Sequence, residues 1–126
     1  MIRLGLSSQA FPARSPREVI ALALDLGLEG VEWAAESHLA PGNSSEAQAL
    51  LFETLMARLA IVSFAALYRV DPEREAGLGF QALLDTASSL QAPILRVFAG
   101  RTAYATAEYA ERVALREELG RLGDLA

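Results

Sequence analysis

Glu32, Trp33, Glu36 and His38 stand within one short stretch, Gly30-Val31-Glu32-Trp33-Ala34-Ala35-Glu36-Ser37-His38. It opens as an apolar run and ends in the only histidine of the chain. Two carboxylates, an indole and an imidazole this close together suit proton transfer, metal ligation or contact with a sugar ring. In parallel α/β folds, ligands bind outside the carboxyl ends of the strands, and this stretch has the pattern of one such end. Glu32 is placed to bind a metal, abstract a proton or anchor an arginine. Trp33 would either stack on a sugar ring or fill the core, and Glu36 reads as a solvated loop charge. His38 lies among small loop residues, as a substrate or metal contact or as a neutral loop residue. A lone imidazole makes no zinc or manganese site without further ligands, of which Glu32 and Glu36 are the nearest.

Arg96 interrupts the apolar run Ile94-Leu95-Arg96-Val97-Phe98. A charge buried there is costly unless paired, so Glu32 and Arg96 are expected to form a buried or half-buried pair. Contact with a substrate anion is the second role open to Arg96. Tyr68-Arg69 follows one strand and Arg101 another, which collects cationic donors at one rim. Arginine forks match phosphate and carboxylate groups.

The elements that must position these residues follow from periodicity. Ile2 to Ser8, Leu28 to Trp33, Ala60 to Ala65 and Pro93 to Ala99 read as strands. Ser15-Pro16-Arg17-Glu18 gives a helix an N-cap, a first-turn proline and a capping box. That helix carries Val19, Ile20, Ala23 and Leu24 and stops near Gly27. Asn43 or Ser44 caps the next, with Leu50, Leu51, Leu55 and Leu59 on its buried side. A third helix, Phe80 to Leu90, carries Leu83, Leu84 and Ala87, and the boundary between it and the third strand is Asp71-Pro72. The last starts near Thr106 and places Tyr109, Val113, Leu119 and Leu122 at helical spacing. Strands recur at about 30-residue intervals, one βα unit each. Such units imply parallel strands, closed either as an open doubly wound sheet or as half of an eight-unit barrel. Ser7-Ser8-Gln9-Ala10 stands where a glycine-rich phosphate loop would follow the first strand, which weakens a dinucleotide site.

Composition narrows the chemistry. The chain has 126 residues, is 52% hydrophobic and carries a net charge of −5, which speaks for one folded domain and against general attraction to nucleic acid or acidic membranes. All 11 basic residues are arginines, so lysine Schiff-base and P-loop chemistry is excluded. With no cysteine, thiol catalysis, disulfides and thiolate metal sites are excluded as well. No signal-peptide pattern opens the chain and no apolar run is long enough to span a bilayer, so a cytoplasmic protein is expected.

With these residues placed, the chain resembles the amino-terminal half of the sugar phosphate isomerase/epimerase family, whose fold is the xylose isomerase-like TIM barrel. The similarity runs through Leu4-Gly5-Leu6-Ser7, Gly30-Val31-Glu32-Trp33 and His38-Leu39-Ala40-Pro41-Gly42-Asn43. It continues through Ala66-Leu67-Tyr68-Arg69-Val70 and Ala92-Pro93-Ile94-Leu95-Arg96-Val97-Phe98-Ala99-Gly100. The resemblance implies an α/β fold of four consecutive βα units, a half TIM barrel with a parallel sheet and helices on its outer side, as one domain over residues 1–126. It also implies a metal-dependent isomerase or epimerase acting on a small-molecule sugar or sugar phosphate. In that family a divalent metal (Mn, Mg, Zn or Co) polarises a carbonyl and a hydroxyl while a carboxylate moves a proton. The usual metal set (glutamate, aspartate, histidine, glutamate) belongs to strands five to eight, so no catalytic residue or metal ligand carries over. This chain is therefore expected to bind no metal tightly and to be inactive alone. Glu32, Trp33, His38, Tyr68, Arg69 and Arg96 remain as the substrate rim.

Two other functions stay open. One is a non-catalytic α/β module that self-associates. The other is an endonuclease-type relative of the same barrel with His38 as a metal ligand, against which the acidic net charge speaks. A half barrel would leave its first and fourth strands as edges and uncover the inner sheet face. Leu4, Leu6, Ile61, Val62 and Phe64 are candidates for exposure there, and a homo-oligomer through the open sheet edges is expected.

Overall fold

Strands and helices alternate along the chain, and every strand pairs with its sequence neighbours. The computed structural model describes residues 1–70, 78–100, 102–103 and 105–126; Arg101 and Asp71-Pro72 lie outside the described residues. The strands are β1 (Gly5–Ser7), β2 (Gly30–Ala34), β3 (Ala60–Arg69) and β4 (Leu95–Phe98). They form one parallel sheet in the order β1-β2-β3-β4. The helices are α1 (Pro16–Asp25), α2 (Ala35–His38), α3 (Ser44–Met56), α4 (Leu78–Ser89) and α5 (Tyr109–Leu125). A doubly wound sheet reverses its strand order part-way. An order that never reverses, with crossovers of one hand, keeps the helices on one side, which is the barrel pattern.

Local sequence accounts for most of the helix boundaries. The Ser15 hydroxyl accepts from the Glu18 N–H at 3.4 Å, while the Glu18 carboxylate accepts from the Ser15 N–H at 2.7 Å. Pro16 occupies the first helical turn, and α1 gives way to Gly27 at φ +66°. Asn43, rather than Ser44, caps α3 by accepting from the Glu46 N–H at 3.2 Å. The last helix starts at Tyr109 instead of near Thr106, because Glu108 and Glu111 build a capping box there.

The core lies between the sheet and the helices. Val19, Ala23, Val31, Trp33, Leu50, Phe64, Leu83 and Leu90 are its buried members. Val70, Phe80 and Leu122 form a smaller cluster under α5. Several residues expected on buried helix faces point outward instead, among them Leu24, Leu55 and Leu119. The buried faces are therefore narrower than the apolar stripes. Tyr109 opens α5 in solvent, and Leu59 reaches the core from beyond the end of α3.

Two strands differ in length from their sequence patterns. β1 is confined to three residues because only Gly30, Val31 and Glu32 pair with it, and Ser8 already turns into a 3-10 helix (Ser8–Ala10). β3 runs four residues past Ala65 because β4 continues the ladder as far as Phe98, opposite Arg69. Two glycines permit close approach of neighbouring strands, Gly5 to β2 and Gly30 to β3. A Cβ on Gly5 would sit 2.8 Å from the Gly30 carbonyl oxygen, and one on Gly30 would sit 2.7 Å from a Val62 methyl.

The inner face is the side away from the helices. Phe64, a candidate for exposure, is buried on the helix side, and Leu6 and Ile61 pack partly against the same core. Val62, Leu67 and Ile94 are 45%, 52% and 57% exposed, and Leu4 is exposed beside the edge strand β1. No helix among the described residues is long and apolar enough to cross a membrane.

Candidate functional site

The expected pair of Glu32 and Arg96 is present and forms the centre of the inner face. Arg96 Nε and Nη2 donate to the two Glu32 carboxylate oxygens, each at 3.1 Å, a bidentate fork. The Ser7 hydroxyl donates to Oε1 at 2.8 Å and the Ser63 hydroxyl to Oε2 at 2.6 Å. Each strand thus contributes one polar side chain to a single cluster. Register explains the convergence, since Ser7, Glu32 and Ser63 are successive cross-strand partners. Arg96 also donates to the Gln9 side-chain oxygen at 3.1 Å, which ties the 3-10 helix to β4.

The pair is half-buried, with the Arg96 side chain 40% exposed and that of Glu32 18%. Burial opposes ionisation of Glu32, but hydrogen bonds from Arg96, Ser63 and Ser7 and the Arg96 charge outweigh it. Its carboxyl is held below the ordinary carboxylate value. With both oxygens engaged by four donors, Glu32 is an anchor that fixes Arg96, rather than a free base.

The other expected rim residues divide between the two faces. Trp33 is fully buried on the helix side, and its indole N–H donates to Thr54 Oγ1 at 3.2 Å, so it fills the core and is not a stacking surface for sugar. Tyr68 also turns to the helix side, where its ring packs on Phe80 at 5.3 Å. Strand alternation sends it opposite to Arg69, and that places Tyr68 away from the rim.

His38 ends the short helix α2 instead of sitting in a loop. Its Nε2–H donates to the Arg14 carbonyl at 2.9 Å, and its ring meets the edge of Trp33 at 5.8 Å. A carbonyl oxygen only accepts, so Nε2 carries the proton, and the buried Nδ1 has no hydrogen-bond partner among the described residues. Glu36, expected as a solvated charge, accepts from the Leu67 N–H at 2.6 Å and so ties α2 to β3.

Arg69 remains at the rim. Its guanidinium lies over the Phe98 ring at 5.7 Å, and Arg96 approaches that ring at 6.0 Å. Phe98, Ser7, Ser63 and Gln9 are site residues that the sequence reading did not single out. For Ser7 and Ser63 the available signal was a serine in the apolar runs of β1 and β3.

The divalent metal implied by the resemblance does not fit the described residues. Glu32 is saturated by Ser7, Ser63 and Arg96, Glu36 is turned to a backbone N–H, and the accessible edge of His38 is taken by Arg14. Among the described residues no group of three or more acidic or histidine side chains converges to hold an ion.

No protein-family model and no curated protein matches the chain. Solved structures do. A protein assigned as a 3-DHS dehydratase involved in petrobactin synthesis, from Bacillus anthracis, superposes with a TM-score of 0.74 at 16% identity, over 98% of this chain and 48% of its own. A protein assigned as a xylose isomerase, from Rhodospirillum rubrum, gives a TM-score of 0.69 at 21% identity, over 97% of this chain and 49% of its own. The chain spans about half the length of these structures. Sequential parallel strands, helices on one side and this match together give the fold: the chain is built as one half of a TIM barrel.

Proposed function

We propose that this half barrel is the substrate-holding wall of a sugar or sugar phosphate isomerase or epimerase. The observation that supports the reading is the four-strand cluster of Ser7, Glu32, Ser63 and Arg96 on an open inner face. In a barrel that face lines the central volume, with ligands at the carboxyl ends of the strands. Arg96, fixed by Glu32, has no hydrogen bond from Nη1 to a described residue and would offer it to a substrate oxygen. No group of described residues would hold the divalent metal that the resemblance implies, so this wall supplies substrate contacts and no metal-assisted step. This chain would hold the sugar and exclude water, with no proton-transfer residue of its own.

The same face favours self-association. A trough of about 520 Å³ runs along it toward the amino ends of the strands, lined by Gly5, Ser7, Gly30, Ile61, Val62 and Pro93. Side chains from an opposite wall would fill it, and a second copy supplying four further strands would complete a closed barrel.

Titration of the chain with unphosphorylated xylose, followed by two-dimensional amide NMR, tests the substrate wall. Shifts are expected at Ser63, Arg96 and Phe98. Saturable shifts confined to the outer helices, or none, would defeat the reading.

A further inference from the structure

Arg69 is a cation at the rim whose charge nothing described balances. The chain has 16 acidic residues for 11 arginines, yet among the described residues Arg69 has no carboxylate partner. Among the described residues its hydrogen bond is a long 3.5 Å donation from Nη1 to the Gly100 carbonyl. Arg96 differs, because Glu32 and Gln9 occupy its Nε and Nη2.

What Arg69 has instead is a platform. It is the cross-strand partner of Phe98, two residues beyond Arg96 along β4. Its guanidinium rests on the Phe98 ring at 5.7 Å, with Arg96 at 6.0 Å from the same ring. An aromatic face attracts a guanidinium and shields one of its sides from water. The flat fork is thereby oriented before a ligand arrives, and less side-chain freedom is lost on binding. Both guanidiniums thus face one ring, and Glu32 engages only that of Arg96.

We propose that Arg69, held on Phe98 beside Arg96, is an oxyanion subsite that takes the phosphate or carboxylate group of an anionic sugar derivative. This rests on the reading of the inner face as a substrate wall, and it names the ligand class: an anion rather than a neutral sugar. The fork engages two oxygens of the anion at once, and Arg96 Nη1, which has no hydrogen bond to a described residue, adds a third donor.

The test is titration of the chain at constant ionic strength with inorganic phosphate, with acetate and with neutral xylose, read through the arginine Nε–Hε and Phe98 amide signals. Saturable shifts at Arg69 and Phe98 are expected with an anion, and Arg69→Ala should weaken that binding about tenfold or more. A stronger response to phosphate assigns a phosphate ester, and a stronger response to acetate assigns a sugar acid. Phe98→Leu, which keeps the cation and removes its platform, should weaken binding several-fold and serves as an independent arm. Unchanged affinity in both variants, or no saturable shift at Arg69 with either anion, overturns the subsite. Xylose shifts at Ser63 and Arg96 in the same series would leave the substrate wall standing, so the two readings fail separately.

Discussion

Replacing Arg96 by methionine would leave the Glu32 carboxylate half-buried with two serine hydroxyls to hold it. Because Arg96 is 40% exposed, solvent screening brings the cost below that of a fully buried pair, to about 1–3 kcal/mol. Removing Glu32 as well should recover part of the loss in a double-mutant denaturation cycle, and strictly additive effects would contradict the pairing. The lowered Glu32 value also fixes a pH dependence. Its stabilisation is complete above the ordinary value of 4.5 and is lost as pH falls through the lower folded value. Urea midpoints should drop as pH falls from the ordinary value through the folded one, with a flatter profile for Glu32→Gln. On the core side of the same strand, Thr54→Val would strand the buried Trp33 N–H and should cost about 1–3 kcal/mol by the same measurement. Arg96 was legible in the sequence because a charge inside an apolar run demands a partner. Ser7 and Ser63 were not, since their meeting at Glu32 depends on strand register. Alternation puts Glu32 and Trp33 on opposite faces, but only the packed helices decide which face is inside.

At the scale of elements, capping is what the sequence exposed most directly. Ser15→Ala should cost α1 about 1 kcal/mol, seen as a lower thermal midpoint, because the capping box at Ser15 and Glu18 is intact. The extension of β3 was less legible, as it depends on β4 and on α2 being in place. Leu67 sits past the end of β2, where its N–H finds Glu36. Glu36→Ala should therefore speed hydrogen exchange at the Leu67 amide, with exchange at Phe64 in the ladder little changed. Equal acceleration at both sites would mean that Glu36 acts on global stability rather than on this strand end. Tyr68 shows the limit of motif reading: the residue beside Arg69 was expected at the rim, and one step of alternation placed it under α5. The brevity of β1 has a similar origin, for an edge strand keeps only the residues its single neighbour pairs.

For the whole molecule, the βα repeat and the parallel sheet followed from recurring strand patterns, whereas the choice between open sheet and barrel needed the strand order. Parallel sheets are ordinarily covered on both faces, and here Val62, Leu67 and Ile94 stand open on one. With the second-copy reading, sedimentation velocity at micromolar concentration should give a dimer or higher oligomer. Ile94→Arg should shift it toward monomer without lowering the thermal midpoint, because the Ile94 side chain is already 57% exposed. A wild-type chain that sediments as a compact monomer would count against closure by a second copy.

The strict neighbour-to-neighbour strand order also has a consequence in time. Each ladder can form as soon as the next βα unit has arrived, so the sheet can grow from one end with short loop closures and little waiting. The polar cluster cannot. The Arg96 bonds to Glu32 and Gln9 span 64 and 87 residues, so any species in which the fourth strand has not docked would leave Glu32 with serine hydroxyls and no cation. The half barrel thus carries a built-in mark of completion. Species lacking β4 should hold Glu32 with serines alone and titrate it at higher pH than the complete sheet does, because the Arg96 hydrogen bonds and charge that lower it are missing, and a species trapped before the last strand docks would be recognisable by that acid–base signature.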